Sequence, residues 1–456
     1  MEWLLPRISG RGGGTRRHGA ARNHVHAFKG AGGLTMLLRA LRHRNYRLFF
    51  FGQGVSLIGT WMQSVAMAWL VYRLTGSEML LGLVPFCNQI PAFFIAPLAG
   101  VWVGRLDLRK LLVITQSLLA FPALMLAVLV FTGQIEVWHI IALTVCSGLI
   151  NAFDVTGRHS FVIKMVEDKA DLGNAIALNS MLFNAARLLG PSIAGVLIAV
   201  AGEGWCFLLN AISFLAVVVS LLAMRLKPTE RLPKRYVIHE LREGLSYAFR
   251  FVPMRWLLLQ VALISLVAAP YTVLLPVFAK DILQGGPKML GILQSSVGVG
   301  ALMGALFLAS HRNAVGLERV IMRAVFLLGT ALVAFSQSRL IPLSIFCLAL
   351  VGFGMMVNMA SSNTVLQTIV DDDKRGRVMS FYTMSFFGMS PLGCLLAGAL
   401  ASWIKAPATL CFAGLTCMVA VFLFAPKIRG LDRVIRAAYE KKKEPPTIPD
   451  APAIAK

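Results

Sequence analysis

The sequence predicts an all-α membrane protein of twelve transmembrane helices in two six-helix halves, and three observations carry that expectation. Apolar stretches of about 20 residues recur along nearly the whole chain, each long enough to cross a hydrocarbon core of about 30 Å. Only 14% of the 456 residues are charged and 57% are hydrophobic, where a soluble domain carries about 25% charged residues. Lysine and arginine, finally, gather in alternate loops.

Residues 1–38 are rich in Arg, Gly and His and hold no apolar core of a signal peptide, so they read as a disordered basic extension. Met36 opens a more conventional start, and the first 35 residues read as an artefact of start-site choice, which N-terminal sequencing of the natural product checks. The twelve spans fall at 46–72, 78–103, 109–131, 137–157, 174–199, 205–225, 254–279, 288–310, 320–337, 340–367, 378–402 and 407–425. Thr132-Gly133 and Gly202-Glu203-Gly204 mark short turns between them. The first six-helix half occupies 39–225 and the second 254–425, with a basic tail at 426–456. Between the halves, 226–253 mixes Arg231, Lys234, Arg235, Glu240, Arg242 and Glu243 with Val237, Ile238, Leu241, Leu245 and Phe249. That spacing predicts an amphipathic helix on the membrane surface, tethering the halves.

Counted with their flanking residues, the loops after even-numbered spans hold 20 Lys and Arg and those after odd-numbered spans hold 5. The positive-inside rule then puts both termini in the cytoplasm of a multi-pass cell-membrane protein, in bacteria the inner membrane. The same placement accounts for the net charge of +23 by topology and argues against nucleic acid as a partner. The lipid bilayer is the expected surrounding. Most of the seven cysteines lie in or beside apolar spans without CxxC spacing, so they read as packing thiols.

The halves echo each other. Leu80-Leu81-Gly82-Leu83 opens the second span as Met289-Leu290-Gly291-Ile292 opens the eighth. Val166-Glu167-Asp168-Lys169 precedes Gly190-Pro191 and Ala194-Gly195, as Val370-Asp371-Asp372-Asp373-Lys374 precedes Ser390-Pro391 and Ala397-Gly398. Offsets of about 200 to 209 residues agree with repeated halves.

Several blocks in order resemble one transporter superfamily: the run from Gly59 to Tyr72, Asn151-Ala-Phe-Asp154, Asn174 to Asn179, Arg187 to Gly195 and Arg375 to Ser380. From about residue 41 onward the chain resembles the major facilitator superfamily, and within it the drug/proton antiporter-like branch that includes enterobactin and macrolide exporters. That resemblance implies the major facilitator fold, alternating access and a small-molecule substrate, with protons as the coupling ion. It makes the segment with Gly100, Arg105, Asp107, Arg109 and Lys110 a gating motif, although Gly104 stands where the superfamily has an acid. Asp107 then either supplies a substitute latch or leaves the latch weak; a basic cytoplasmic loop accounts for the arginines alone. Gly190, Pro191, Ala194 and Gly195 resemble the antiporter signature of the fifth span. Proline removes a backbone donor there and small residues allow close packing, a helix bend. Thr144 stands where the superfamily's fourth span carries arginine.

Arg187 is then the one Lys or Arg well inside the membrane, where an isolated charge costs roughly 2.5 to 3.5 kcal/mol and must face protein or water. Besides Asn184, Asp154, nearer its helix's cytoplasmic end, is the other transport and coupling candidate. It reads either as a proton-coupling carboxylate or as an anchor with Arg158. Asn184 shares a helix face with Arg187. If the central cavity is lined by the first, fourth, seventh and tenth spans, as the resemblance implies, its lining candidates are Gln53, Ser56, Gln63, Asn151, Tyr271 and Asn358. Trp61 nearby would suit a bulky amphipathic solute.

No catalytic constellation is visible: no GxxxxGK[ST] phosphate loop for ATP, no HExxH and no Cys/His metal spacing. An enzyme, a cofactor and a metal site are therefore not expected. The reading is a proton-coupled exporter of a small amphipathic or siderophore-like compound. An importer or uniporter, and a non-transporting membrane receptor or assembly factor, stand as alternatives.

Overall fold

A computed structural model describes residues 38–103, 106–165, 171–225, 252–311, 314–370 and 374–428, with 430, 432, 435 and 436 beyond them. The extension before residue 38, nearly all of the 226–253 tether and most of the tail after 428 lie outside the described residues. The described residues are helical throughout, without strands.

The first six helices are α1 (Arg44–Thr75), α2 (Glu78–Val103), α3 (Leu108–Phe131), α4 (Val137–Met165), α5 (Leu172–Ala201) and α6 (Glu203–Ala223). Their ends follow from local chemistry. Gly76 takes a left-handed φ of 60° and returns its N–H to the Tyr72 carbonyl, closing α1. Asp107 caps α3, accepting from the backbone N–H groups of Arg109 at 2.9 Å and Lys110 at 3.3 Å.

The seventh predicted span is not one helix. It comprises α7 (Val252–Val267), a turn at Ala268–Pro270, α8 (Tyr271–Val277) and a π-turn at Phe278–Ile282. Pro270 has no N–H to continue the ladder, which explains the break. After it come α9 (Gly286–Ala309), α10 (Leu317–Gln337), α11 (Ile341–Ile369), α12 (Arg375–Thr383), a π-turn at Met384–Gly388 and α13 (Met389–Ile428). A π-turn leaves carbonyls unmatched, and Ser265 of α7 donates its hydroxyl to the one on Phe386. Within α13, Lys405 has φ 71° and ψ 155°, so two helices meet there. By length and composition, eleven helical stretches among the described residues could cross a membrane, the last of them the 51 residues Val378–Ile428 that contain this junction. Trp403, 85% exposed, and Val200, 77% exposed, belong to an outer surface of large apolar side chains that suits a lipid solvent.

Helix pairings repeat. Contacts of α2 with α4, α3 with α4 and α3 with α6 recur as α9 with α11, α10 with α11 and α10 with α13. The first six helices meet the rest chiefly along two seams, α5 with α9 and α2 with α13. Each seam is closed by a glycine pair. A Cβ on Gly291 would lie 2.9 Å from the Gly195 Cα, and one on Gly398 would lie 2.9 Å from the Gly82 Cα, so only glycine permits either approach.

The buried core is shared at one end of the bundle and divided at the other. Where odd-numbered loops lie, one apolar cluster joins Leu70, Leu81 and Ala194 to Leu274, Leu290 and Leu348. At the opposite end there are two clusters. One holds Tyr46, Phe49, Leu112, Phe161 and Leu221; the other holds Met254, Leu257, Ile321, Val365 and Phe424. The first six helices and the later ones thus share one core at one end and pack separately at the other.

Candidate functional site

A cavity of about 420 Å³ lies next to the shared core, lined from both halves. From α1 it takes Trp61, Gln63 and Ser64, from α2 Asn88 and Gln89, from α4 Thr144 and Asn151, from α5 Arg187 and Pro191, and from the second half Tyr271 and Gln294. Apolar walls come from Met67, Val84, Leu119 and Phe214. The break before Tyr271 brings the start of α8 to the cavity.

Arg187 sits with its guanidinium carbon 5.9 Å from the centre of the Trp61 ring, within cation–π range. Phe183, one turn earlier on α5, meets the same indole edge-on at 5.8 Å. Gly190 makes this possible, since a Cβ there would lie 2.5 Å from the Trp61 Cβ. The Tyr271 hydroxyl, buried at 2% exposure, lies within reach of the Arg187 guanidinium, and its own proton has no acceptor among the described residues. The Thr144 hydroxyl, also buried, is likewise unmatched. Asn210 donates to the Gln63 carbonyl oxygen at 2.6 Å, and Asn88 donates to the Thr144 backbone carbonyl at 3.3 Å.

Other candidates from the sequence are placed elsewhere. Gln53 and Ser56 are buried in α1, toward the end where the cores divide. Asn358 accepts from the Gln260 amide at 3.1 Å, a buried pair between α11 and α7. Asn184 turns its amide to the Ser180 carbonyl of its own helix at 2.9 Å. Asp154 is fully buried outside the cavity lining. Thr115 and Gln116 donate to one of its oxygens at 2.9 and 2.8 Å, and Arg158 pairs with the other. In the gating segment Arg105 and Gly104 lie outside the described residues, and Gly100 falls in the last turn of α2. Asp107 is engaged as the α3 cap, Lys110 is exposed, and Arg109 reaches the Leu222 carbonyl of α6 at 2.6 Å. Ala194 is wholly buried, and Gly195 meets Gly291 at the α5–α9 seam.

Asn88, Gln89, Asn210 and Gln294 were not expected in the lining, because α2, α6 and α9 were not counted as lining helices. The internal repeat held the signal. Pro85 and Gln294, and likewise Asn88 and Val297, are separated by the offset that relates Leu81 to Leu290, and all four line the cavity.

Residues 35–447 match the major facilitator family described as "Transmembrane secretion effector". The chain belongs to that family. Its curated relatives include the staphyloferrin A transporter of Staphylococcus aureus, 27% identical over 384 residues that cover 83% of this chain and 95% of the relative. The multidrug efflux pump Tap of Mycolicibacterium fortuitum is 27% identical over 397 residues, covering 84% and 96%. Macrolide efflux protein A of Streptococcus pyogenes is 24% identical over 416 residues, covering 86% and 99%. Among solved structures, the nucleoside transporter NupG superposes with a TM-score of 0.64 at 14% identity, covering 85% of this chain and 99% of that one. The family and these relatives are transporters, not enzymes. In a transporter family, a cavity lined from both halves is the place to look for cargo.

Proposed function

We propose that this family member is a secondary active exporter that moves a small amphipathic or siderophore-like compound outward by alternating access, driven by inward proton flow. The observation that carries the reading is the core, shared at one end and divided at the other, with the cavity beside the shared part. Two rigid bodies fused above a solute site and parted below it are what rocking halves require.

The junction at Lys405 supports twelve crossings. As one straight helix, 51 residues would run about 77 Å at about 1.5 Å per residue, over twice a hydrocarbon core. Split at Lys405, the stretch becomes an eleventh and a twelfth span. The Lys and Arg asymmetry supports a cytoplasmic position for the divided end, and with it a cavity that faces inward, ready to load cargo from the cell.

Arg187 acts as the charge that cargo or proton must address, and Asp154, saturated with donors, anchors α3 to α4. Efflux relatives support the outward direction, and the staphyloferrin A transporter supports a siderophore-like cargo. Culture supernatants of deletion and overexpression strains are compared for released compounds, and accumulation is measured with and without a protonophore. The reading predicts a compound lost from the deletion supernatant and retained inside the cells after protonophore. Unchanged accumulation over a broad panel, siderophores included, would sink it.

A further inference from the structure

The charges around the cavity are one-sided. Arg187 is its single cation, and neither Asp nor Glu is among the described residues that line it. Among the described residues Arg187 has no ion-pair partner. The buried carboxylate that could have answered it, Asp154, is already held by Thr115, Gln116 and Arg158. The Trp61 ring lies 5.9 Å from the guanidinium carbon. A cation–π contact provides no hydrogen-bond acceptor in the guanidinium plane for the forked N–H donors, which fit the two oxygens of a carboxylate.

Two further donors point the same way. The Tyr271 hydroxyl, 2% exposed, lies within reach of the Arg187 guanidinium, which can only donate to it, so its own proton is left without an acceptor among the described residues. The Thr144 hydroxyl, 6% exposed, has none either. Folded proteins rarely bury such groups unmatched, and a polar occupant of the cavity would give both hydroxyls an acceptor. Amides of Gln63, Asn88, Asn151 and Gln294 add polarity without charge, while Met67, Val84, Leu119 and Phe214 offer an apolar wall.

We propose that the cavity is a carboxylate seat: Arg187 binds the carboxylate of an apolar or aryl acid, Tyr271 and Thr144 donate to its oxygens, and the apolar wall holds its hydrocarbon body. This rests on the transport reading and narrows it. A neutral amide offers one acceptor oxygen and no opposite charge, so it forgoes the ion pair and the bidentate fit, and an ammonium compound would set like charge beside Arg187 with no acid to offset it.

Three matched probes test it: 2-naphthylacetate, 2-naphthylacetamide and 2-(2-naphthyl)ethylamine, titrated calorimetrically into the full chain in phosphatidylcholine nanodiscs, whose headgroups bring no net negative charge. The acid is expected to bind about tenfold tighter than the amide, with the amine weakest. Arg187→Gln should abolish the acid's advantage and leave the amide within about twofold, whereas Arg187→Lys keeps part of it. Tyr271→Phe should weaken the acid about threefold to tenfold and the amide less. Thermal unfolding of each variant shows whether it is folded, and the amide's retained affinity in Arg187→Gln reports an intact cavity. Equal affinity for acid and amide, an advantage that survives Arg187→Gln, or no binding of any probe overturns the seat. Counterflow in proteoliposomes separates the two proposals. Binding preference without movement of the acid sinks transport and spares the seat. Movement of acid, amide and amine alike sinks the seat and spares transport.

Discussion

The Tyr72 hydroxyl at the end of α1 donates to the Asp281 carboxylate in the π-turn after α8, joining the two halves at the end where the core is shared. Lys280 lies over the Tyr72 ring, its nitrogen 5.2 Å from the centroid. Glu78 at the start of α2 is close enough to feel Asp281 and Lys405. Hydrogen bonds to charged groups are about twice as strong as neutral ones, so Asp281→Asn should loosen this closure. In a cysteine-free background, a Ser64→Cys probe in the cavity should react with an impermeant maleimide from outside about fivefold faster once Asp281 is replaced. An unchanged rate means that the hydroxyl–carboxylate contact does not hold the outer side shut.

The α5–α9 seam leaves no room for a methyl group. A Cβ on Gly291 would stand 2.6 Å from the Pro191 carbonyl oxygen as well as 2.9 Å from Gly195. Gly291→Leu should therefore hold the halves apart at the shared core and cut transport more than tenfold, with expression near normal because each half keeps its own packing. Transport at the parental rate would show that the seam yields.

Asp154 separates anchoring from coupling. Asp154→Ala leaves Arg158 half-buried without its partner, which should cost about 3 kcal/mol and lower the unfolding temperature. Asp154→Asn in proteoliposomes should slow proton-driven transport and counterflow in the same proportion. Loss of the proton-driven mode alone would return Asp154 to the coupling role.

Lys405 occupies a backbone region used almost only by glycine, at φ 71° and ψ 155°, and such strain costs about 1 to 3 kcal/mol. Lys405→Gly should stabilise the protein by about 1 kcal/mol, seen as a higher unfolding temperature, while Lys405→Ala keeps the strain and gives no gain.

Spans and their order were legible because hydrocarbon thickness leaves a plain length signal in the chain. The gap expected between 402 and 407 falls on Lys405, where the helices do meet. The break before Tyr271 was missed despite Pro270, because apolar residues continue through it and hydropathy does not register a lost N–H. Site residues were harder to read. Gln63 and Gln53 are the same residue type on one helix, yet only the former lines the cavity. The turn with Gln53 packs onto α6, where a Cβ on Gly52 would lie 2.3 Å from the Ser220 hydroxyl oxygen. Asn358 shows the same limit, since its chemistry is visible in the sequence and its partner Gln260 is not. Arg187 stood out because a lone charge in an apolar run has few cheap explanations.

The two glycine contacts, Gly82 with Gly398 and Gly195 with Gly291, also have a mechanical meaning. Backbone touching backbone cannot be compressed, so the pair defines an axle near one membrane face, with the opposite face about 30 Å away. On that lever, each degree of rotation displaces the far rim by about 0.5 Å. Under the alternating access proposed above, a swing of about 10 degrees about this axle would widen the mouth at the divided end by about 5 Å, the scale of a small solute.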